Sequence, residues 1–470
     1  MITLRWGQRE RWQSRSPLLE CRSMRPINVG IVGLGNVGSG TLAILHQNRR
    51  QIREKLGFDL SVVAICSRSV AEHPPPAAAW FPGVTRTTNW QEIVERPDVH
   101  IVAELVGGTC VAAEIVRAAI RNGKSVVTAN KELMAAEGPL LWDEAIGAGI
   151  CLAMEASVAG GIPIHAVLRE GISGDRVEAL LGILNGTCNY ILTEMEKRAL
   201  PQPEILAEAQ RLGYAEADPS ADLDGYDARS KLSILAALAY GVRVLPSDIY
   251  LEGIRRISPM DFSYAHRLGQ TIRLLGMARQ TAEGLLLSVR PALIPRSTIL
   301  AHVEGAYNAI WVKGVHGADT FYYGKGAGPQ PTGVAVVSDL MRVAREIVNG
   351  SPERVSPFAH DRLREYAPMP IYHQVRPFYL RFRVSDRPGI LAALASIMAA
   401  ANISLEAVLQ EPCANKQDLP FVITLEPAPE QAVRQALEKM ADLDFLLEPP
   451  LALPMEPALE SEGGQETADP

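Results

Sequence analysis

Residues 26–40 read PINVGIVGLGNVGSG, and no other stretch constrains the fold as strongly. Residues 27–32 form the apolar run of a short buried strand. Gly33-x-Gly35-x-x-Gly38 follows, and 37–47 carries a helical pattern. A strand, a glycine turn and a helix in that order are the context of a dinucleotide fingerprint. The first glycine permits the tight turn, the second lets backbone approach a pyrophosphate, and the third lets helix pack on strand. The phosphates then sit at a helix N-terminus. Candidate cofactor contacts are Gly33, Gly35, Asn36, Val37 and Gly38. The plainer alternative is a structural turn.

Strand patterns at 60–65, 100–106, 124–127 and 150–156 alternate with helical stretches at 90–96 and 111–122. Such alternation predicts a parallel sheet with ligands at the strands' carboxyl ends. After the second strand stand Cys66, Ser67 and Arg68, where an NAD site would place an acidic residue. A hydroxyl and a cation suit a 2′-phosphate better. NADP is therefore the expected cofactor, with NAD possible; Arg68 also reads as a solvated surface residue. Lys131, in Thr128-Ala129-Asn130-Lys131, stands at another strand end. It reads either as a cofactor or substrate contact or as a surface lysine at a helix start. Residues 157–163 form a loop that exposes carbonyls next to Glu155, hard oxygen ligands for a hard cation. A domain-crossing turn is the alternative.

Residues 185–240 hold the densest chemistry. They open on an Asn185-Gly186 turn signal and close on a helix apolar on nearly every side. Asp227 and Lys231 lie four apart on that helix, hence on one face. The face continues through Ile234, Leu235 and Leu238, so the pair extends a core-facing stripe. A lysine held by a carboxylate is a general acid for an oxygen that becomes alkoxide. Glu216 and Asp218 lie upstream in a loop and suit a substrate amine. An ordinary surface ion pair is the competing reading.

Beyond this stretch, 264–274 reads as a helix, 285–291 and 309–315 as strands, and 334–348 as a helix. Gly324 to Gly333, GKGAGPQPTG, is a second glycine-rich turn before a helix and touches the cofactor or serves as a linker. Residues 378–384, 388–401, 403–409, 421–425, 430–440 and 445–447 read strand, helix, strand, strand, helix, strand, a ferredoxin-like order.

The 470 residues are long enough for about three domains. The expected division is a disordered Arg-rich extension (1–25), a dinucleotide-binding domain (26–150), a catalytic and oligomerisation domain (151–333) and a helix returning to the first domain (334–350). A linker (351–375), a small α+β module (376–450) and a disordered tail (451–470) complete it. The net charge of −7 and the lack of a basic block argue against nucleic-acid binding. No apolar run approaches a membrane span. Six scattered cysteines without a C-x-x-C pair predict reduced cytoplasmic thiols.

Three motifs carry a family resemblance: NGTCNYIL, LGYAEADPSADLDGYDARSK and GKGAGPQPTG. Over residues 25–350 the chain resembles homoserine dehydrogenase, and VSDRPGILAALASIMAAANISLEAVLQ resembles an ACT domain. The arrangement is similar to monofunctional bacterial enzymes with a regulatory tail. The resemblance implies a Rossmann-like domain, an α+β catalytic domain and a ferredoxin-like ACT domain. It implies NAD(P)-dependent interconversion of L-homoserine and L-aspartate 4-semialdehyde, a step toward threonine, isoleucine and methionine. Under it Lys231 is the proton donor, and Glu216 and Asp227 bind substrate. Lys131, Gly213 and Gly328 line the cofactor, and Glu155, Val158, Gly160 and Ile162 hold sodium. Thr332-Gly333 departs from the family's common Thr-Ala. A threonine effector bound near Asp386, Arg387 and Gly389 and a homodimer or homotetramer are further implications. Another amino-acid or semialdehyde dehydrogenase, or a non-catalytic nucleotide and amino-acid sensor, are the competing functions.

Overall fold

The computed structural model describes residues 25–70, 76–350, 360, 362–412 and 415–457. The expected N-terminal extension, apart from Arg25, and residues 458–470 of the expected tail lie outside them.

The first sheet is parallel, with strand order β3-β2-β1-β4-β5-β6. Its strands are β1 (Ile27–Val32), β2 (Leu60–Cys66), β3 (Thr85–Thr87), β4 (Ile101–Glu104), β5 (Ser125–Thr128) and β6 (Leu152–Ala153). β6 is shorter than expected, because the chain turns into a 3-10 turn at Glu155–Ser157. Gly33 ends β1 at φ +102°, and a Cβ there would lie 2.4 Å from the Leu105 carbonyl oxygen. At Gly38 a Cβ would lie 2.1 Å from the Gly33 oxygen. Both glycines are demanded by close packing, as the fingerprint predicts.

The helix Pro329–Asn349 returns to this domain and buries Val336, Leu340 and Val343 against Ile31, Leu42, Ile101 and Val127. It crosses the helix Asn36–Gln47 at two glycines. A Cβ on Gly40 would lie 2.0 Å from the Pro329 carbonyl oxygen. One on Gly333 would lie 3.0 Å from Ile44 Cδ1, which favours glycine at this crossing. We expect Gly40→Ala to overpack this crossing and cost about 1–3 kcal/mol. Denaturant unfolding of the purified variant checks it.

The second sheet runs β12-β11-β7-β9-β10-β13, with β8 beside β10. It comprises β7 (Val177–Ile183), β8 (Tyr250–Leu251), β9 (Gln270–Thr281), β10 (Gly284–Pro295), β11 (Tyr307–Gly314), β12 (Asp319–Lys325) and β13 (Pro368–Met369). The helix expected at 264–274 is replaced by a helix at Pro259–Arg267 and the start of β9. Gly269, at φ +71°, separates them. Residues 271–278 of β9 are all buried, so the strand lacks the polar–apolar alternation that reveals a half-exposed one. β13 lies within the expected linker 351–375, most of whose first half lies outside the described residues.

The third sheet is antiparallel, order β15-β16-β14-β17, from β14 (Val375–Val384), β15 (Leu405–Gln410), β16 (Leu419–Pro429) and β17 (Leu451–Pro454). With helices Ile390–Ala400 and Glu430–Met440 this is the expected ferredoxin-like order. The last strand was misplaced: 445–447 contributes only the bridge Val384↔Leu446, and β17 lies in the stretch expected to be a disordered tail. The chain continues along the second sheet, with the Glu456 N–H on the Leu293 carbonyl at 2.8 Å. Buried Arg290 and Glu430, 2.9 Å apart, tie the module to β10.

Candidate active site

The site is built around the two residues that leave β7. Asn185 is extended, and its side-chain oxygen accepts the Cys188 N–H at 2.8 Å. It therefore caps the helix Gly186–Arg198, where the Asn-Gly pair had read as a turn. Its Nδ2 donates to Asp222 at 2.7 Å and to Asp227 at 2.8 Å. The Leu184 carbonyl accepts from Lys231 Nζ at 2.9 Å.

The helix Tyr226–Tyr240 starts after Gly225, at φ +85°, and ends at Gly241, at φ +65°. Residues 231–238 are all buried, so the helix is fixed by the core. Its first turns carry Asp227 and Lys231 to the rim of a crevice of about 630 Å³. Lys231 Nζ lies 2.7 Å from Asp227 Oδ2, and each side chain is only 10% exposed. Lys131, from the start of the helix Lys131–Ala148, reaches across from the first domain to Asp227 Oδ1 at 3.1 Å. One carboxylate thus bridges two ammonium groups from two domains. Burial opposes its ionisation, yet Lys231 and Lys131 hold Asp227 well below the usual carboxylate range. Asp227 in turn raises the Lys131 pKa.

This arrangement leaves chemistry available. Two of the three Lys231 N–H groups are tied, to Asp227 and to the Leu184 carbonyl. The third has no partner among the described residues and is available to an oxygen in the crevice. Asp222 also lines the crevice, and burial raises its pKa. Sequence reasoning missed it. The only local signal is the acid density of residues 216–227, because Asp222 sits on a short helix, Ser220–Leu223, with no periodic relation to Asp227.

Part of the crevice lining comes from the first domain. Asn36, Val37 and Lys131 line it, as do Gly213 and Gly328 from the rest of the chain. Gly35 precedes the helix Asn36–Gln47, and a Cβ there would meet nothing within 4 Å. That open backbone fits a pyrophosphate at the helix N-terminus. Arg68 is exposed just beyond the carboxyl end of β2.

Of the other expected site residues, Gly160 alone is among those lining the crevice. Glu216 is exposed on its loop and is not among the crevice-lining residues; its carbonyl accepts from Gln210 at 3.0 Å. Asp218 is exposed and accepts the Ser220 N–H at 3.0 Å, as a turn residue does. Glu155 is buried, and its carboxylate accepts the N–H groups of His165 and Ala166, each at 2.9 Å. Gly160, at φ +46°, lines the crevice. Asp386, Arg387 and Gly389 form an exposed loop before the helix Ile390–Ala400. That helix begins at Ile390, so Pro388 lies ahead of it. Asp386 pairs with Lys416 at 3.2 Å and Arg387 with Asp444.

Residues 33–154 match the family described as homoserine dehydrogenase, NAD binding domain, residues 163–341 match homoserine dehydrogenase, and 378–444 match the ACT domain. The chain is 40% identical over 438 residues to the homoserine dehydrogenase of Pseudomonas aeruginosa, covering 92% of this chain and 99% of that protein. The chain belongs to the homoserine dehydrogenase family. The Neisseria gonorrhoeae enzyme is 39% identical over 437 residues, with the same coverage. The crystal structure of a homoserine dehydrogenase from Thiobacillus denitrificans superposes with a TM-score of 0.85 at 40% identity, over 92% of this chain and 99% of that one. A hyperthermophilic archaeal homoserine dehydrogenase in complex with NADPH gives a TM-score of 0.58 at 26% identity, over 68% of this chain and 98% of that one. The protein is thus an oxidoreductase with a nicotinamide-binding domain and an ACT domain. Among the described residues no helix is long and apolar enough to cross a membrane.

Proposed function

We propose that the protein interconverts L-homoserine and L-aspartate 4-semialdehyde, with Lys231 exchanging the proton of the C4 oxygen. The observation that carries this reading is the Lys231 ammonium lining the crevice, held by Asp227 and the Leu184 carbonyl and with a third N–H that has no partner among the described residues. When bound, the reduced nicotinamide supplies a hydride to the carbonyl carbon. Lys231 gives its free proton to the oxygen as charge develops there. Asp227 and the Leu184 carbonyl fix the ammonium, and Lys131 holds Asp227 from the other side. Asp222 and Asp227 offer negative charge to the substrate's ammonium. Glu216 joins them only when its loop folds over the crevice; Glu216→Gln then raises KM for homoserine and leaves kcat near wild type. Homoserine-dependent reduction of the nicotinamide, followed by absorbance, tests the activity. No reduction with either cofactor would refute it.

NADP is the proposed cofactor, because Arg68 follows β2 and the residues at that strand's carboxyl end, Cys66, Ser67 and Arg68, include no acid. Arg68→Ala is expected to lower kcat/KM for NADP about 10- to 100-fold while that for NAD changes little, consistent with one charge-assisted contact of roughly 1.5–3 kcal/mol. An unchanged NADP-to-NAD ratio would sink the assignment.

The loop of Glu155, Val158, Gly160 and Ile162 offers only oxygen ligands, the donor set a sodium ion takes. Thermal unfolding in NaCl against KCl at equal ionic strength reads this site without turnover. The ACT domain is proposed to bind threonine at Asp386, Arg387 and Gly389, and the protein to act as a cytoplasmic homodimer or homotetramer in threonine, isoleucine and methionine synthesis. Threonine that neither inhibits nor shifts unfolding would remove the effector proposal.

A further inference from the structure

We infer that Asn308 is a positioning residue for proton transfer, acting through the Leu184 carbonyl on Lys231. The inference rests on the reading of Lys231 as proton donor. Asn308 lies on β11, one residue before the Ala309↔Ile183 pair that ends the ladder with β7. Beyond that pair β7 turns away and Leu184 loses its strand partner. The Asn308 side chain takes over: its Nδ2 donates to the Leu184 carbonyl at 2.9 Å. The same oxygen accepts Lys231 Nζ at 2.9 Å. A carbonyl oxygen has two lone pairs, and here one is filled by Asn308 and the other by Lys231. With the amide in place, only one direction remains for the ammonium N–H, and the third N–H is aimed accordingly.

Two further observations bear on how Asn308 is held. It is 1% exposed, yet its Oδ1 has no hydrogen-bond partner among the described residues. A buried unsatisfied acceptor is costly, and a position that keeps one calls for an explanation. The glycine-rich turn is also shaped around it. A Cβ on Gly326 would lie 2.1 Å from Asn308 Cγ and Nδ2, so residue 326 must be glycine while the amide keeps its place. Gly326 and Asn308 both line the crevice that Lys231 faces. The side chain therefore couples the turn that precedes the return helix to the carbonyl that orients the ammonium. This role belongs to Nδ2, and Asn308 itself need touch neither substrate nor cofactor.

The test is a double-mutant cycle on the full-length enzyme, using Asn308→Leu, Asn308→Asp and Lys231→Met. Both Asn308 variants keep the side chain's approximate size and remove the donor. We expect each to lower kcat about 10- to 100-fold, as small misplacements of a reacting group do. KM for homoserine and for the nicotinamide cofactor should change less than about threefold in the same variants, because binding is left intact. In the Lys231→Met background, Asn308→Leu should cost less than about twofold, since residues that act as a unit are not additive. Wild-type kcat in both Asn308 variants would overturn the inference. An equal loss in both backgrounds would also overturn it, because Asn308 would then act on the structure at large. If Lys231→Met alone keeps wild-type kcat, it is the assignment of the proton donor that fails. Where Asn308→Leu does not fold, Asn308→Asp carries the same comparison.

Discussion

Lys231→Met keeps the fold and loses turnover by about 10²- to 10⁴-fold in both directions, the range that general acid–base catalysis contributes. The methionine side chain fills most of the lysine's space among buried neighbours and brings no charge. KM values for homoserine and cofactor stay within a few-fold, because the lost interaction is one made as the oxygen gains charge. Lys231→Arg is no rescue. A guanidinium keeps its proton at all working pH and is too wide for a site bounded by Asp227 and the Leu184 carbonyl, 2.7 and 2.9 Å from Nζ. Steady-state kinetics checks both variants, and circular dichroism confirms that they are folded.

Asp227→Ala is the most destabilising change expected in the site. It strands the ammonium of Lys231, whose side chain is 10% exposed, beside that of Lys131. Breaking a buried ion pair from one side costs about 3–5 kcal/mol. Lys131 is 36% exposed and recovers part of its hydration, which points to the lower end. Asp227→Asn keeps the shape and loses the charge, so its stability defect is smaller and its turnover defect remains large. The pH dependence follows from the direction of the shift. A carboxylate whose folded pKa is depressed contributes stability above its unfolded pKa and loses it as pH falls toward the folded one. The stability gap between wild type and Asp227→Asn should therefore be full at neutral pH and shrink below about pH 4. Lys131, with a raised pKa, contributes below its unfolded value and loses its share as pH rises through the alkaline range. Urea unfolding at a series of pH values measures both limbs. A gap that is constant down to the most acid pH would contradict the bridging geometry.

What the sequence discloses follows the range of the interaction. The Gly33, Gly35 and Gly38 requirement is local, since strand, turn and helix lie within one short stretch. Asp227 and Lys231 are legible because helical geometry alone puts residues four apart together. Lys131 was ambiguous because its partner lies nearly a hundred residues away, across the crevice. Asp222, Asn185 and Asn308 acquire their roles only through tertiary contacts with one another and with Asp227 or Leu184. No spacing announces them. β9 was read partly as a helix because burial on both faces erases its alternation. β17 is hidden in the sequence by its brevity and by the prolines at and before it, Pro449, Pro450 and Pro454, and is ordered by pairing with β14 across some seventy intervening residues. Glu216 shows the converse: the chemistry of the residue type is suitable, but the described loop holds its carboxylate away from the crevice.

The measurement closest to the central claim is a single turnover of enzyme-bound NADPH with L-aspartate 4-semialdehyde, comparing wild type with Lys231→Met. Nicotinamide absorbance reports hydride transfer, and a separate NADPH titration confirms equal binding. The arrangement at Lys231 predicts that transfer slows at least about 100-fold while NADPH affinity is unchanged. An equal single-turnover rate in the two proteins would contradict it.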